Sequence, residues 1–206
     1  MANYHIPLIP DGMYHILSRA IGNEKLFHNN DNYDFFLQKY KQYILPVADT
    51  FAFCMLPNHF HFLIQIKSFG HLEEYFIEKK KRKSIDLNQI PDLTMECFSN
   101  LLNSYSKSFN KVYKRRGSLF IDYLRRVEIM DDCQFGSTIF YIHKNPVHHG
   151  YVNSISSWRW SSYNKLIGKS ATMLKRDEVL NWFGNVSAFK QYHEQPIHLK
   201  NAMIVE

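Results

Sequence analysis

The chain has 206 residues, of which 45% are hydrophobic and 21% charged, a globular balance that excludes wholesale disorder. Lys and Arg outnumber Asp and Glu by 25 to 19, a net charge of +6 that favours an anionic partner without naming one. Cys54, Cys97 and Cys133 are odd in number and widely spaced, which argues against a disulfide framework and for a reducing compartment. No run approaches the roughly 18 apolar residues of a membrane helix. The N-terminus lacks the basic start and apolar run of a secretory signal. A cytoplasmic protein with no membrane partner is expected.

Met13 to Arg19 reads as the first strand, after an Asp11-Gly12 turn. A helix follows over about Asp31 to Leu45: Asn30 can cap it, Phe36, Tyr40 and Ile44 share one face, and Pro46 ends it. Thr50 to Leu56 suits a buried strand, Pro57-Asn58 punctuates, and His59 to Lys67 alternates, so the two strands form a hairpin. Residues 70–95 carry the basic run Glu78 to Lys83 and read as a partly helical, mobile excursion. Phe98 to Arg115 is helical, with Leu101, Tyr105 and Phe109 on its apolar side and Lys107, Lys111 and Lys114 opposite. Asp131 and Asp132 start another helix, where acidic residues suit the positive end. Phe135, Ile139 and Ile142 form its stripe and Pro146 stops it. Short helices, one of them around Asp177 to Phe183, are expected beyond Gly150.

His59-Phe60-His61 is the sharpest chemical feature. Residues i and i+2 of a strand share a face, so two imidazoles stand side by side, a spacing that suits a divalent metal. By itself, HxH also fits two surface histidines on a hairpin. Tyr141 and Asn145, four apart on the later helix, can face one site together. A residue before proline avoids the helical region, which puts Asn145 at or past the helix end, where its amide oxygen is a candidate third ligand. His143 lies on another face and is at best a supporting or phosphate contact.

In combination, these segments resemble a known family. Pro57-Asn58-His59-Phe60-His61 resembles the PNHxH signature of the single-tyrosine HUH transposases (His-hydrophobic-His). Tyr141 to Val147 resembles the YIHxNPV signature of their REP-associated branch. Gly12 to Arg19 resembles that branch's GxYHxxxR opening strand, Gly117 to Phe120 its GxLF segment, and Trp160 to Tyr163 its WSSY element. The resemblance implies an α+β fold, an antiparallel sheet flanked by helices, ferredoxin-like or RRM-like. It also implies a catalytic domain over 1–168, with 70–96 an insertion and 169–206 a C-terminal extension.

The implied reaction is cutting and rejoining of single-stranded DNA at hairpin-associated sites through a 5′-phosphotyrosine. Tyr141 carries over as nucleophile, and His59, His61 and Asn145 as ligands of Mg²⁺ or Mn²⁺. The partner is single-stranded DNA with hairpin structure, and both a homodimer and a monomer fit. Arg19, Lys107, Lys111, Lys114, Arg115, Arg116, Arg125 and Arg126 are the basic candidates for following DNA phosphates. Trp158, Trp160 and Tyr163 are candidate base-stacking platforms. Two other readings compete: a non-catalytic RRM-like binder of structured nucleic acid, and a metallohydrolase that uses His59 and His61 without a covalent tyrosine.

Overall fold

The computed structural model describes residues 6–121 and 124–196. Four antiparallel strands form one sheet in the order β2-β3-β1-β4: β1 (Met13–Arg19), β2 (Ala48–Leu56), β3 (His59–Ile66) and β4 (Arg125–Glu128). Helix α1 (Asn30–Tyr43) joins β1 to β2, and α3 (Ile90–Val112) joins β3 to β4. This β-α-β-β-α-β order is the ferredoxin-like arrangement. The expected fold class is therefore the observed one, with α2 (Phe69–Lys80) and a 3₁₀ turn (Leu87–Gln89) interposed before α3.

The sheet separates two kinds of surface. On one face the aromatic residues of β3 meet α1 and α3. Phe62 stacks on Tyr40 at 4.2 Å, Phe60 lies 5.1 Å from Phe36, and Phe36 meets Tyr105 edge-on at 5.1 Å. On the other face lies α4 (Asp132–His148), with Phe135 against Phe51 at 5.6 Å. A bulge between Thr50 and Ala52 makes this possible. Thr50 still faces α1 and bonds Tyr40 Oη at 2.8 Å, while Phe51 is turned toward α4.

Three expectations need correction. First, residues 70–95 are not a mobile excursion. Leu72, Phe76, Ile85, Ile90 and Leu93 are buried in the main core. Lys79 to Lys83 mark the end of α2, where Lys81 takes a left-handed cap and cations suit the negative helix end. Second, α3 starts eight residues before Phe98, because Pro91 occupies the first turn, where a missing N–H costs nothing. Third, Pro146 does not stop α4. The helix runs on to His148. A proline one turn from the end forfeits a single backbone bond, and the burial of Tyr141, Ile142 and Asn145 outweighs it.

The segment after α4 covers the outer edge of β2. Met55 N–H donates to Trp160 O and Ser162 N–H to Phe53 O, both at 2.9 Å, which protects an otherwise open strand edge. Helices α5 (Tyr163–Ile167), α6 (Arg176–Phe183) and α7 (Val186–Glu194) complete the described fold, with Val179 and Phe189 fully buried. The end of the 169–206 extension, beyond Pro196, lies outside the described residues.

Candidate active site

The site lies on the α4 side of the sheet, at the end of β3 that follows the Pro57-Asn58 turn. Strand parity fixes its members. His59 and His61 on β3 pair with Arg19 and Leu17 on β1, and Leu17 pairs in turn with Arg125 on β4. The turn is held in place by the loop after β1, which donates Ala20 N–H to Asn58 O and Leu26 N–H to Pro57 O.

His61 is fully buried. Its Nδ1 is 3.0 Å from Nε2 of His15, a buried residue of β1, while its own Nε2 is buried with no hydrogen-bond partner. Burial pushes the His15 imidazole down to about 4. It pushes His61 well below the usual histidine range, with His15, His59 and His149 adding repulsion. Both rings are neutral at physiological pH, the form that ligates metal.

His59 is half-buried. Its Nδ1 lies 2.8 Å from Asn58 Oδ1 and its Nε2 3.2 Å from Asn145 Oδ1. When Nδ1–H donates to Asn58, neutral His59 presents a lone pair at Nε2 toward the amide oxygen of Asn145, a second acceptor. A cation held by both atoms, or a proton on Nε2, satisfies that pair. Two ligands about 2.1 Å from a small hard cation and at right angles stand about 3 Å apart. Asn145 Nδ2 is a further buried atom with no partner. Orphaned buried polar atoms are rare enough that two in one place need a cause. Among the described residues there is no cluster of three or more His, Cys, Asp or Glu side chains able to hold a metal, so any ion here depends on two imidazoles and an amide.

Tyr141 sits one helical turn before Asn145 on the same face of α4. It is 5% exposed, and its ring lies edge-on to His61 at 5.5 Å and to His15 at 5.9 Å. A cavity of about 230 Å³ opens beside these groups, walled by Leu17, Arg19, Asn58, His59, His61, Ile121, Arg125 and His149. Two arginines and no carboxylate among the described lining residues suit it to a phosphate.

The structure brings together Tyr141, His59, His61, Asn145, Arg19 and Arg125. The other predicted residues lie elsewhere. His143 points away from the site, with Nδ1 2.9 Å from His193 Nε2 and Nε2 2.7 Å from Ser162 Oγ, so it ties α4 to α7 and to the β2 edge. Arg126 is 7% exposed and, by strand alternation, occupies the opposite face from Arg125. Arg115 is tied down by Glu24 at 3.1 Å and by the carbonyl of Ser118 at 2.7 Å. Lys107 and Lys111 are exposed on α3, in the layer across the sheet from the histidines, and Lys114 and Arg116 are exposed beyond its end. Trp160 and Tyr163 are buried in packing roles.

Sequence reasoning missed the roles of His15, Asn58 and His149. His15 stood in the GxYHxxxR match, and its contact with His61 depends on a cross-strand register that local spacing does not display.

No protein-family model matches the chain. It is 28% identical over 166 residues, 80% of its length and 87% of the relative's, to a curated Haemophilus influenzae protein named as a REP-associated tyrosine transposase. Its fold is similar to a solved structure described as that of a REP-associated tyrosine transposase bound to a REP hairpin, with a TM-score of 0.55 and 16% identity over 81% of this chain and 86% of that one.

Proposed function

We propose that this chain, a relative of the REP-associated tyrosine transposases, is an enzyme that nicks and rejoins single-stranded DNA at hairpin-associated sites through Tyr141. The observation that carries this reading is that Tyr141 packs against His61 and Asn145 meets His59, beside a cavity that both histidines wall together with Arg19 and Arg125.

The cavity receives the scissile phosphate, and Arg19 and Arg125 offer charge-assisted hydrogen bonds to its oxygens. The Tyr141 phenolic oxygen forms the new bond to phosphorus as the bond to the 3′ oxygen breaks. The phenol gives up its proton and the departing oxygen ends as a 3′-hydroxyl, leaving the 5′ phosphate on the tyrosine. Rejoining is the reverse attack by a 3′-hydroxyl. A phenol with an ordinary pKa of about 10 is a weak nucleophile at neutral pH, so positioning and electrostatics must supply most of the acceleration.

A divalent ion such as Mg²⁺ or Mn²⁺ would be held by His59 Nε2, His61 Nε2 and Asn145 Oδ1, where it would polarise the phosphate as a Lewis acid. When His61 uses Nε2 in this way, its Nδ1 carries the proton and donates it to His15 Nε2. His15 then fixes the ring's tautomer and orientation, as a carboxylate or carbonyl does for other metal-bound histidines.

The test is a denaturing gel of the protein incubated with labelled hairpin oligonucleotides and Mn²⁺. A slow, denaturation-resistant band is expected, absent in Tyr141→Phe and in His59→Ala. Cutting that persists in Tyr141→Phe would favour hydrolysis without a covalent step. Binding with no cutting across a broad set of hairpins would favour a non-catalytic binder.

A further inference from the structure

We infer that His149, Tyr151 and Trp158 form a base-stacking track leading out of the active-site cavity, and that it takes the unpaired bases of the strand being cut. This rests on the reading of the chain as an enzyme of single-stranded DNA.

Local chemistry builds the track. Helix α4 ends at His148 and is capped by His149, and Gly150 turns the chain through a left-handed conformation (φ 70°) that L side chains rarely adopt. The following N–H, of Tyr151, donates back to Pro146 O at 2.9 Å. That reversal lays three rings in sequence. His149 walls the cavity and meets His59 edge-on at 4.9 Å, Tyr151 lies 6.4 Å from His149, and Trp158 lies 5.6 Å from Tyr151.

The outer ring is held rigidly. The indole N–H of Trp158 donates to Met55 O at 3.0 Å, so the half-buried ring is anchored on the edge of β2. Tyr151 is 42% exposed, and His149 is exposed as well. A rigid aromatic surface continuous with a cavity walled by Arg19 and Arg125 matches the two needs of a single strand: cations for its phosphates and π-faces for its bases. Stacking tolerates any base, so the track grips the strand beside the cut without reading its sequence.

The test compares two fluorescent DNA hairpins by equilibrium anisotropy. One carries unpaired mixed-sequence tails at both ends, and the other carries abasic tails of equal length with the phosphates intact. The wild-type protein is expected to bind the base-bearing tails about 5-fold or more tightly, the lower end of what one base–aromatic stack contributes. Tyr151→Ala is expected to lose that preference while binding the abasic tails as the wild type does. Tyr151→Phe, which keeps the ring, is expected to retain it. A Tyr151→Ala protein that keeps the full preference, or that loses affinity equally for both hairpins, overturns the stacking track and leaves the nicking and joining reading standing. A wild-type protein that binds neither hairpin overturns both.

Discussion

His61 meets His15 through Nδ1, keeps a buried Nε2 with no hydrogen-bond partner, and lines the cavity. A buried imidazole nitrogen with no partner is costly, and a site that binds a cation there recovers the cost. The period-two pattern made His59 and His61 legible as a pair, because strand parity follows from the sequence alone. His15 was legible only as a letter in a motif, since its role depends on how β1 registers against β3. His15→Ala should bind Mn²⁺ about 10- to 100-fold more weakly by calorimetric titration, the usual loss on removing such a support. His15→Asn, which keeps a polar partner for Nδ1, should recover part of the loss. Unchanged affinity in His15→Ala would remove His15 from the metal's support.

At the scale of elements, α4 works on two sides. One side presents Tyr141 and Asn145 to the sheet, and the other presents His143 to His193 on α7. Helical periodicity revealed the first side. The second was hidden because His193 is fifty residues away in a segment with no recognised motif. Pro146 misled as a helix stop, since its effect depends on distance from the helix end and on what the preceding turn buries. His193 is held neutral: burial pushes it down to about 4, with Lys144 nearby adding repulsion. Around it stand His143 Nδ1, the Phe189 carbonyl and the rings of Tyr163 and Tyr192. Its folded value lies below the usual 6.5, so between about pH 6.5 and 4 the unfolded chain binds a proton that the folded one does not. The stabilisation is complete above that window and declines as the pH falls through it, by at most about 1.4 kcal/mol per pH unit for one such group. Urea denaturation at pH 7 and pH 5 should show the decline, and His193→Gln should make it shallower by one group's share, with the buried His15, His61 and His143 supplying the rest. An equal decline in His193→Gln would assign the effect to other groups.

Over the whole molecule, the sheet separates two environments: an aromatic core against α1 and α3 on one face, and the candidate site beneath α4 on the other. The α+β class was legible through the family resemblance, and the order of strands and helices bears it out. The basic residues were legible only as a count. Which of them reach the cavity depends on strand alternation, and adjacent arginines go opposite ways: Arg125 to the cavity wall, Arg126 into the core. Arg19→Ala and Arg125→Ala should each lower the slope of log affinity against log salt for single-stranded DNA by about 0.7, one phosphate contact apiece. Arg126→Ala should leave that slope unchanged. A slope that drops in Arg126→Ala and holds in the other two would reverse the assignment.

The proposed reaction turns on a covalent bond between Tyr141 and a 5′ phosphate. Mass spectrometry of the nuclease-trimmed, proteolysed protein–DNA adduct tests it most directly. The expected product is a nucleotide linked through its 5′ phosphate to the peptide containing Tyr141, with a free 3′-hydroxyl on the released strand. A nucleotide on another residue, or cut strands carrying free 5′ phosphates with no protein attached, would contradict it.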